Sequence, residues 1–202
     1  MVKKMGRLVL NSRGLNTKIG CKQISKKISD DDISKKSMFI ISYPPYGVDD
    51  IIVNNAVKIM GFQKENLYLS ADGVPKGIIL DYVYVTEGNT FEVLKYMRDN
   101  LFIDYIKVLM KNENSTYIGS SAGAIIAGTD IMLARDFDSN FVGMIDFTAL
   151  ELFDGTIIPH YEPENLQMYI QNTERHILNR YSKVLSVSND DVVVIIDGEV
   201  IA

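Results

Sequence analysis

The chain of 202 residues has no tryptophan, one cysteine, two histidines and five prolines. With Cys21 alone, an intrachain disulfide is excluded, and a metal site built on several thiolates has no ligands. With only His160 and His176, any chemistry that needs an imidazole must use one of these two. No apolar run approaches the roughly 20 residues that cross a bilayer. The basic start Met1-Val2-Lys3-Lys4-Met5-Gly6-Arg7 is followed by an apolar piece too short for a signal peptide, which points to the cytoplasm. There is no excess of positive charge. The formal net charge is −5, which argues against nucleic acid as a partner. The lysines that do cluster, Lys18, Lys22, Lys26 and Lys27, recur near every fourth residue, as on the wet face of a helix.

What is present is an ordinary globular composition, 47% hydrophobic and 23% charged. Apolar runs alternate with amphipathic stretches. Strands are expected at Arg7–Leu10, Met38–Ser42 (closed by Pro44-Pro45), Asn66–Leu69, Ile79–Val85, Thr116–Ile118, Gly155–His160, Val184–Val187 and Val192–Ile196. Helices are expected over Ile19–Ile28, Val48–Met60 with Gly61 as its stop, Phe91–Met97, Phe102–Met110, and Glu164–Tyr181 behind Pro163. Asp197-Gly198 reads as a hairpin turn into Val200-Ile201. The β-then-α order predicts an α/β fold, a mostly parallel central sheet with helices on both faces, and no linker divides residues 1–202 into more than one domain. In such sheets ligands bind beyond the carboxyl ends of the strands. The stretch Asp130–Asp154, with five aspartates, reads as an irregular excursion over that end.

The most informative segment is Gly119-Ser120-Ser121-Ala122-Gly123, between the apolar Thr116-Tyr117-Ile118 and the small-residue Ala124–Ala127. Strand, tight turn and helix around G-x-S-x-G form the context of a nucleophile elbow. Ser121 would sit on a strained turn with its hydroxyl above the sheet, and the Ala122 N–H would be free for an oxyanion. A plain Gly/Ser-rich turn is the alternative. A serine needs a base. His160 ends a buried strand at the same rim and fits that role, whereas His176 lies inside a helix. The base needs an acceptor, and Asp136, Asp138, Glu162, Asp190 and Asp191 are all candidates. A second oxyanion donor should come from the loop Thr86-Glu87-Gly88-Asn89-Thr90, which equally reads as a turn with Asn89 or Thr90 as a helix cap.

Together these segments resemble the dipeptidase E and cyanophycinase family of serine peptidases, whose fold is like that of the class I glutamine amidotransferases. The resemblance rests on Gly119-Ser120-Ser121-Ala122-Gly123-Ala124, on Gly88-Asn89-Thr90-Phe91 and on Pro159-His160-Tyr161, which are similar to the family's G-x-S-A-G-A, G-G-N-T-F and P-H-F segments. It implies Ser121 as nucleophile, His160 as base, and the N–H groups of Gly88 and Ala122 as oxyanion hole. The family's acid lies either in the excursion, where Asp136 matches, or before a late strand, where Asn189 falls with Asp190 beside it. The spacing His160-Tyr161-Glu162 makes Glu162 a fallback. Glu87 departs from the glycine usual in the family.

The implied activity is hydrolysis of short peptides through an acyl-enzyme, with no metal and no organic cofactor. The expected partner is a short peptide or small amide substrate, with Asn89 and Arg135 as candidate contacts and no nucleic acid or membrane. A homodimer is the oligomer entertained. Some family members prefer an N-terminal aspartate. Neither Arg135 nor Arg175 matches a family motif that would carry that preference over. A binding module without turnover, motivated by Glu87 and Asn189, and an esterase or amidase on small metabolites are the alternatives.

Overall fold

The structure is a computed structural model that describes residues 5–29, 32–43, 49–163 and 179–201. The first strand, β1 (Arg7–Asn11), runs parallel to β5 (Thr116–Ser120). Outward from β5 the parallel set continues through β4 (Tyr82–Val85), β2 (Met38–Ile41) and β3 (Leu67–Leu69). On the other side of β1, β8 (Val192–Ile196) and β9 (Glu199–Val200) are antiparallel, giving the order β3-β2-β4-β5-β1-β8-β9. This is the mostly parallel sheet that the alternation of apolar runs predicts. A separate parallel pair joins β6 (Thr156–Ile158) to β7 (Val184–Ser186).

Successive side chains of a strand face opposite sides, and the core divides accordingly. Leu8, Leu10, Phe39, Ile41, Val83, Val85 and Tyr117 pack on one face, beneath α3 (Thr90–Asp99), α4 (Phe102–Leu109) and α5 (Ala122–Ile126). Val9, Met38, Ile40, Tyr82, Tyr84 and Ile118 pack on the other, against α1 (Lys18–Lys27) and α2 (Asp49–Asn55). Because both faces are covered, β2 reads as a continuous apolar run rather than an alternating one. Phe39 meets Phe102 edge-to-face at 5.4 Å, a geometry that adds about 0.5–1.5 kcal/mol to its burial. Thr17 caps α1 by accepting from the Gly20 N–H at 3.0 Å, and Lys18, Lys22 and Lys26 lie on its exposed side.

Several elements differ from the sequence expectation. The strand expected from Ile79 begins only at Tyr82, and Ile79 is 82% exposed. Little of the Ile79 side chain is covered among the described residues, so its β propensity goes unrewarded. The helix expected up to Met60 changes at Ala56 into a single π-helical turn and stops at Gly61, which is left-handed at φ 92°. The helices expected over Phe91–Met97 and Phe102–Met110 are separate, and the break lies at Leu101, also left-handed at φ 61°. The strand expected over Gly155–His160 is shorter and belongs to the separate pair, outside the main sheet. The excursion holds one 3-10 turn, Met132–Asp136, and is pinned by a bridge between Asp130 and Thr148. The expected helix Glu164–Tyr181, with Arg175 and His176, lies outside the described residues except for its last three positions, which are not helical. Pro44-Pro45 also lies outside them.

Candidate active site

The carboxyl ends of β1, β4 and β5 stand level, with Asn11 opposite Ser120 and Gly119 opposite both Leu10 and Val85. The turn from β5 into α5 passes so close to its neighbours that two positions must be glycine. A Cβ on Gly119 would lie 2.5 Å from the Gly123 carbonyl oxygen, and a Cβ on Gly123 would lie 2.2 Å from that of Val85. Between them Ser121 is held at φ 49°, ψ −107°. A side chain rarely adopts that backbone, at a cost of about 1–3 kcal/mol. The neighbours hold it there. The Ser121 N–H donates to the Asn11 carbonyl at 2.9 Å, Ser120 Oγ donates to Asn11 Oδ1 at 2.7 Å, and the Gly123 N–H donates to the Thr86 carbonyl at 3.2 Å. The first N–H groups of a helix have no acceptor within it, so the Ala122 N–H stands beside the Ser121 hydroxyl as a donor.

His160 follows β6 and is itself left-handed, at φ 54°. Its N–H donates to Ser12 Oγ at 2.8 Å, and Ser12 Oγ donates to the Val187 carbonyl at 2.8 Å. One buried hydroxyl therefore ties together the ends of β1, β6 and β7. The imidazole lies with Nε2 3.0 Å from Ser121 Oγ and Nδ1 2.7 Å from Asn189 Oδ1. An amide oxygen only accepts, so Nδ1 carries the proton and Nε2 offers its lone pair to the serine hydroxyl. That is the tautomer a general base requires.

Ser121, His160 and Asn189 are thus brought together, and both ring nitrogens of His160 are engaged by the other two. Of the carboxylates considered from sequence, Asp136 is exposed at the end of its 3-10 turn, and Asp190 is 83% exposed and pairs with Arg13 at 3.8 Å. Glu162 is exposed in the loop after His160. At His160 Nδ1 the acceptor is the amide of Asn189, not Asp136 or Asp190. The reason is the β6–β7 pairing, which sets Ile158 beside Ser186 and so carries the following loops to each other. Asp138 is used elsewhere. It accepts from the Thr90 N–H at 2.8 Å and from Thr90 Oγ1 at 2.6 Å, which docks the excursion on the start of α3. Asn89 caps α3, accepting from the N–H groups of Phe91 and Glu92, while its amide donates to the Ser139 carbonyl at 2.9 Å. Its side chain is committed to the chain itself rather than displayed to a substrate. Arg135 is exposed.

Glu87 is half-buried and turns toward the loop ahead of α1, where its carboxyl accepts from Asn16 Nδ2 and lies close beside the Gly14 backbone N–H. Burial pushes its pKa above the ordinary carboxylate value, and those two donors and His160 offset part of that rise. Cys21 is no rival nucleophile. It is fully buried, donates to the Leu15 carbonyl, and burial pushes its thiol up to about 12. Among the described residues no three His, Cys, Asp or Glu side chains come together as a metal site, and no helix is long and apolar enough to cross a membrane. Asn11, Ser12 and Asn16 were not singled out from sequence, and Thr86 was named only as part of the loop before α3. Their only signal is that Asn11-Ser12 ends an apolar strand at the ligand-binding rim.

The profile of peptidase family S51 matches residues 53–202. The chain belongs to that family. An uncharacterised peptidase of Listeria monocytogenes is 31% identical over 127 residues, which cover 60% of this chain and 59% of that protein. Peptidase E of Haemophilus influenzae is 36% identical over 87 residues, covering 43% of this chain and 38% of that protein. A probable alpha-aspartyl dipeptidase of Drosophila melanogaster is 29% identical over 130 residues, covering 61% and 53%. The chain thus spans between about two fifths and three fifths of the length of these curated relatives. In fold, it superimposes with a TM-score of 0.68 on a crystal structure of a protein named as a candidate Peptidase E from Listeria monocytogenes, at 23% identity over 98% of this chain and 97% of that one. A peptidase from an acI-B1 Actinobacterium superimposes at 0.64 with 13% identity, over 96% and 85%. The family match takes in Gly88, Ser121, His160 and Asn189, and leaves out β1 and the loop after it.

Proposed function

We propose that this chain is a serine peptidase that hydrolyses short peptides, and that one domain carries the whole reaction. The observation that supports it most is the 3.0 Å separation of His160 Nε2 from Ser121 Oγ on a strained elbow. In this reading His160 removes the hydroxyl proton as Oγ attacks the substrate carbonyl. The N–H groups of Gly88 and Ala122 receive the tetrahedral oxyanion. The imidazolium then gives its proton to the leaving amine. Water attacks the resulting ester by the reverse sequence and restores Ser121. Asn189 orients the ring in place of an acid. A neutral amide fixes the tautomer but stabilises the imidazolium less than a carboxylate does. Asp136 and Asp190 then act outside the proton relay, and Arg135 is left as a candidate contact for a substrate carboxylate. The relatives' names motivate short peptides, with a small amide as the nearest alternative substrate. The single cysteine and the lack of a long apolar run favour the cytoplasm. A homodimer is compatible with this reading and not required by it.

The test is a dipeptide panel that includes Asp-X members, with a fluorophosphonate probe, applied to the wild type and Ser121→Ala. Turnover and labelling in the wild type, both lost in the variant, are expected. A folded wild type that neither labels nor turns over would favour a binding role. Labelling with ester but no peptide turnover would move the substrate to small esters.

A further inference from the structure

A free negative charge one residue from an oxyanion donor would oppose the charge that develops there. The surroundings of Glu87 give it a different task. The Glu87 carbonyl and the Gly88 N–H are the two polar ends of one planar peptide. Gly88 has φ 140°, a conformation that glycine alone enters freely, so its own sterics place little restraint on that peptide. The restraint comes from Glu87 and its neighbours. The Glu87 carbonyl accepts from Thr86 Oγ1 at 3.1 Å, and fully buried Thr86 is bonded in turn to the Gly123 N–H behind the nucleophile. The side chain reaches the other way and is held by Asn16 Nδ2, with its second oxygen beside the Gly14 backbone.

We propose that Glu87 is a positioning residue whose side chain, anchored on Gly14 and Asn16, holds the Glu87–Gly88 peptide with its N–H turned to the oxyanion. This rests on the reading of Gly88 as an oxyanion donor given above. The anchor lies in the turn after β1, outside the residues matched to the family profile.

Length and hydrogen bonding carry this role, and charge does not. The groups that face Glu87 are the Tyr84 phenol from β4, the Gly14–Asn16 turn, and His160 from the loop after β6. Burial keeps Tyr84 neutral. Asn16 Oδ1 is buried and has no hydrogen-bond partner among the described residues, so one acceptor in this pocket is unused there. A glutamine at position 87 keeps the length of the side chain, can lay its oxygen beside the Gly14 backbone and can donate to Asn16 Oδ1 with its amide. An alanine can do none of these.

The decisive experiment measures kcat and KM on the best dipeptide, and the second-order rate of fluorophosphonate labelling of Ser121, in the wild type, Glu87→Ala, Glu87→Gln and Asn16→Ala. Removal of an oxyanion donor outright costs about 100- to 1000-fold. A donor that is present but unrestrained should lose about tenfold or more in kcat and in labelling, with KM within about twofold. Glu87→Ala and Asn16→Ala are expected to behave so, and Glu87→Gln to return to within about threefold of the wild type. Should Glu87→Ala prove unstable, Asn16→Ala carries the same test. Wild-type rates in Glu87→Ala or Asn16→Ala overturn the proposal, and so does a glutamine variant as impaired as the alanine one. A wild type that neither labels nor turns over removes the reading of the site itself, which separates the two failures.

Discussion

Ser12 makes the sharpest demand on the geometry. Its hydroxyl is fully buried, accepts from the His160 N–H at 2.8 Å and donates to the Val187 carbonyl at 2.8 Å. In Ser12→Ala the Val187 carbonyl keeps the Tyr161 N–H as a donor, at 3.0 Å, while the His160 N–H is left without an acceptor. The bond is part-buried, and leaving its donor unsatisfied costs up to about 1–3 kcal/mol. For a chain of this length each kcal/mol lowers Tm by about 2–4 °C, so a fall of about 2–12 °C is expected. The effect on turnover should be larger in proportion. His160 is held at φ 54°, where a side chain is strained, and once released its backbone relaxes and swings the ring away from Ser121. A displacement of about 1 Å at a catalytic group costs on the order of 100-fold. A fall in kcat of about 10- to 100-fold, with KM little changed, is therefore expected. Differential scanning calorimetry and steady-state kinetics on the same preparation decide it. A lowered Tm with unchanged kcat would mean that Ser12 stabilises the fold without positioning the base, and no change in either would refute the reasoning altogether.

Three further outcomes follow from the same geometry. Asn189→Asp places a carboxylate 2.7 Å from His160 Nδ1. A charged acceptor gains about 1–2 kcal/mol over a neutral one, so kcat should rise roughly fivefold or more, and an unchanged or lower kcat would show that the amide is not standing in for an acid. Gly123→Ala drives a methyl to 2.2 Å from the Val85 carbonyl oxygen, which forces backbone apart at the centre of the sheet. A loss of about 3 kcal/mol or failure to fold is expected, and an unaltered unfolding curve in urea would contradict the close approach. Glu87 has a folded pKa raised above its ordinary 4.5 by burial, so its contribution to stability is fully present below that value and is lost as pH rises through the folded pKa. Glu87→Gln, which cannot ionise, should therefore match the wild type in acid and become the more stable of the two as pH rises, and a difference independent of pH in denaturant titrations would count against that burial.

Much of this could be read from the residues, for identifiable reasons. The central strands β2, β4 and β5 are covered on both faces, so Met38–Ile41 stands out as an apolar run whatever its context. Gly119 and Gly123 announce a close approach because no other residue fits there. Ile79 misled because β propensity is mostly a measure of packing, and position 79 has little to pack against among the described residues. The acceptor for His160 was legible only as a choice among Asp136, Asn189 with Asp190, and Glu162. Asn189 is 29 residues from His160 in sequence, and the two meet only because β6 pairs with β7 apart from the main sheet. No local pattern encodes that pairing. Position relative to the family's acid points to Asn189, but with so many carboxylates in the loops the choice between it and Asp136 or Asp190 needs the fold.

The two strained residues of the site share one support. Ser121 at φ 49° and His160 at φ 54° lie on different elements, yet the N–H of the first is held by Asn11 and that of the second by Ser12. The turn that continues from Ser12 grips Glu87 through Gly14 and Asn16. The proposed nucleophile, base and oxyanion-donor peptide are thus referred to one six-residue stretch at the end of β1, a strand clamped between β5 and β8. Strain of this kind persists only where surrounding bonds over-determine the backbone, and a single rigid support keeps the distances between three separately borne groups constant when the sheet flexes. The strain and its support also separate in mutation. Relaxing Ser121 by substitution should raise stability and abolish chemistry, whereas weakening Asn11 or Ser12 should lower both, because the support holds the fold and the site with the same bonds.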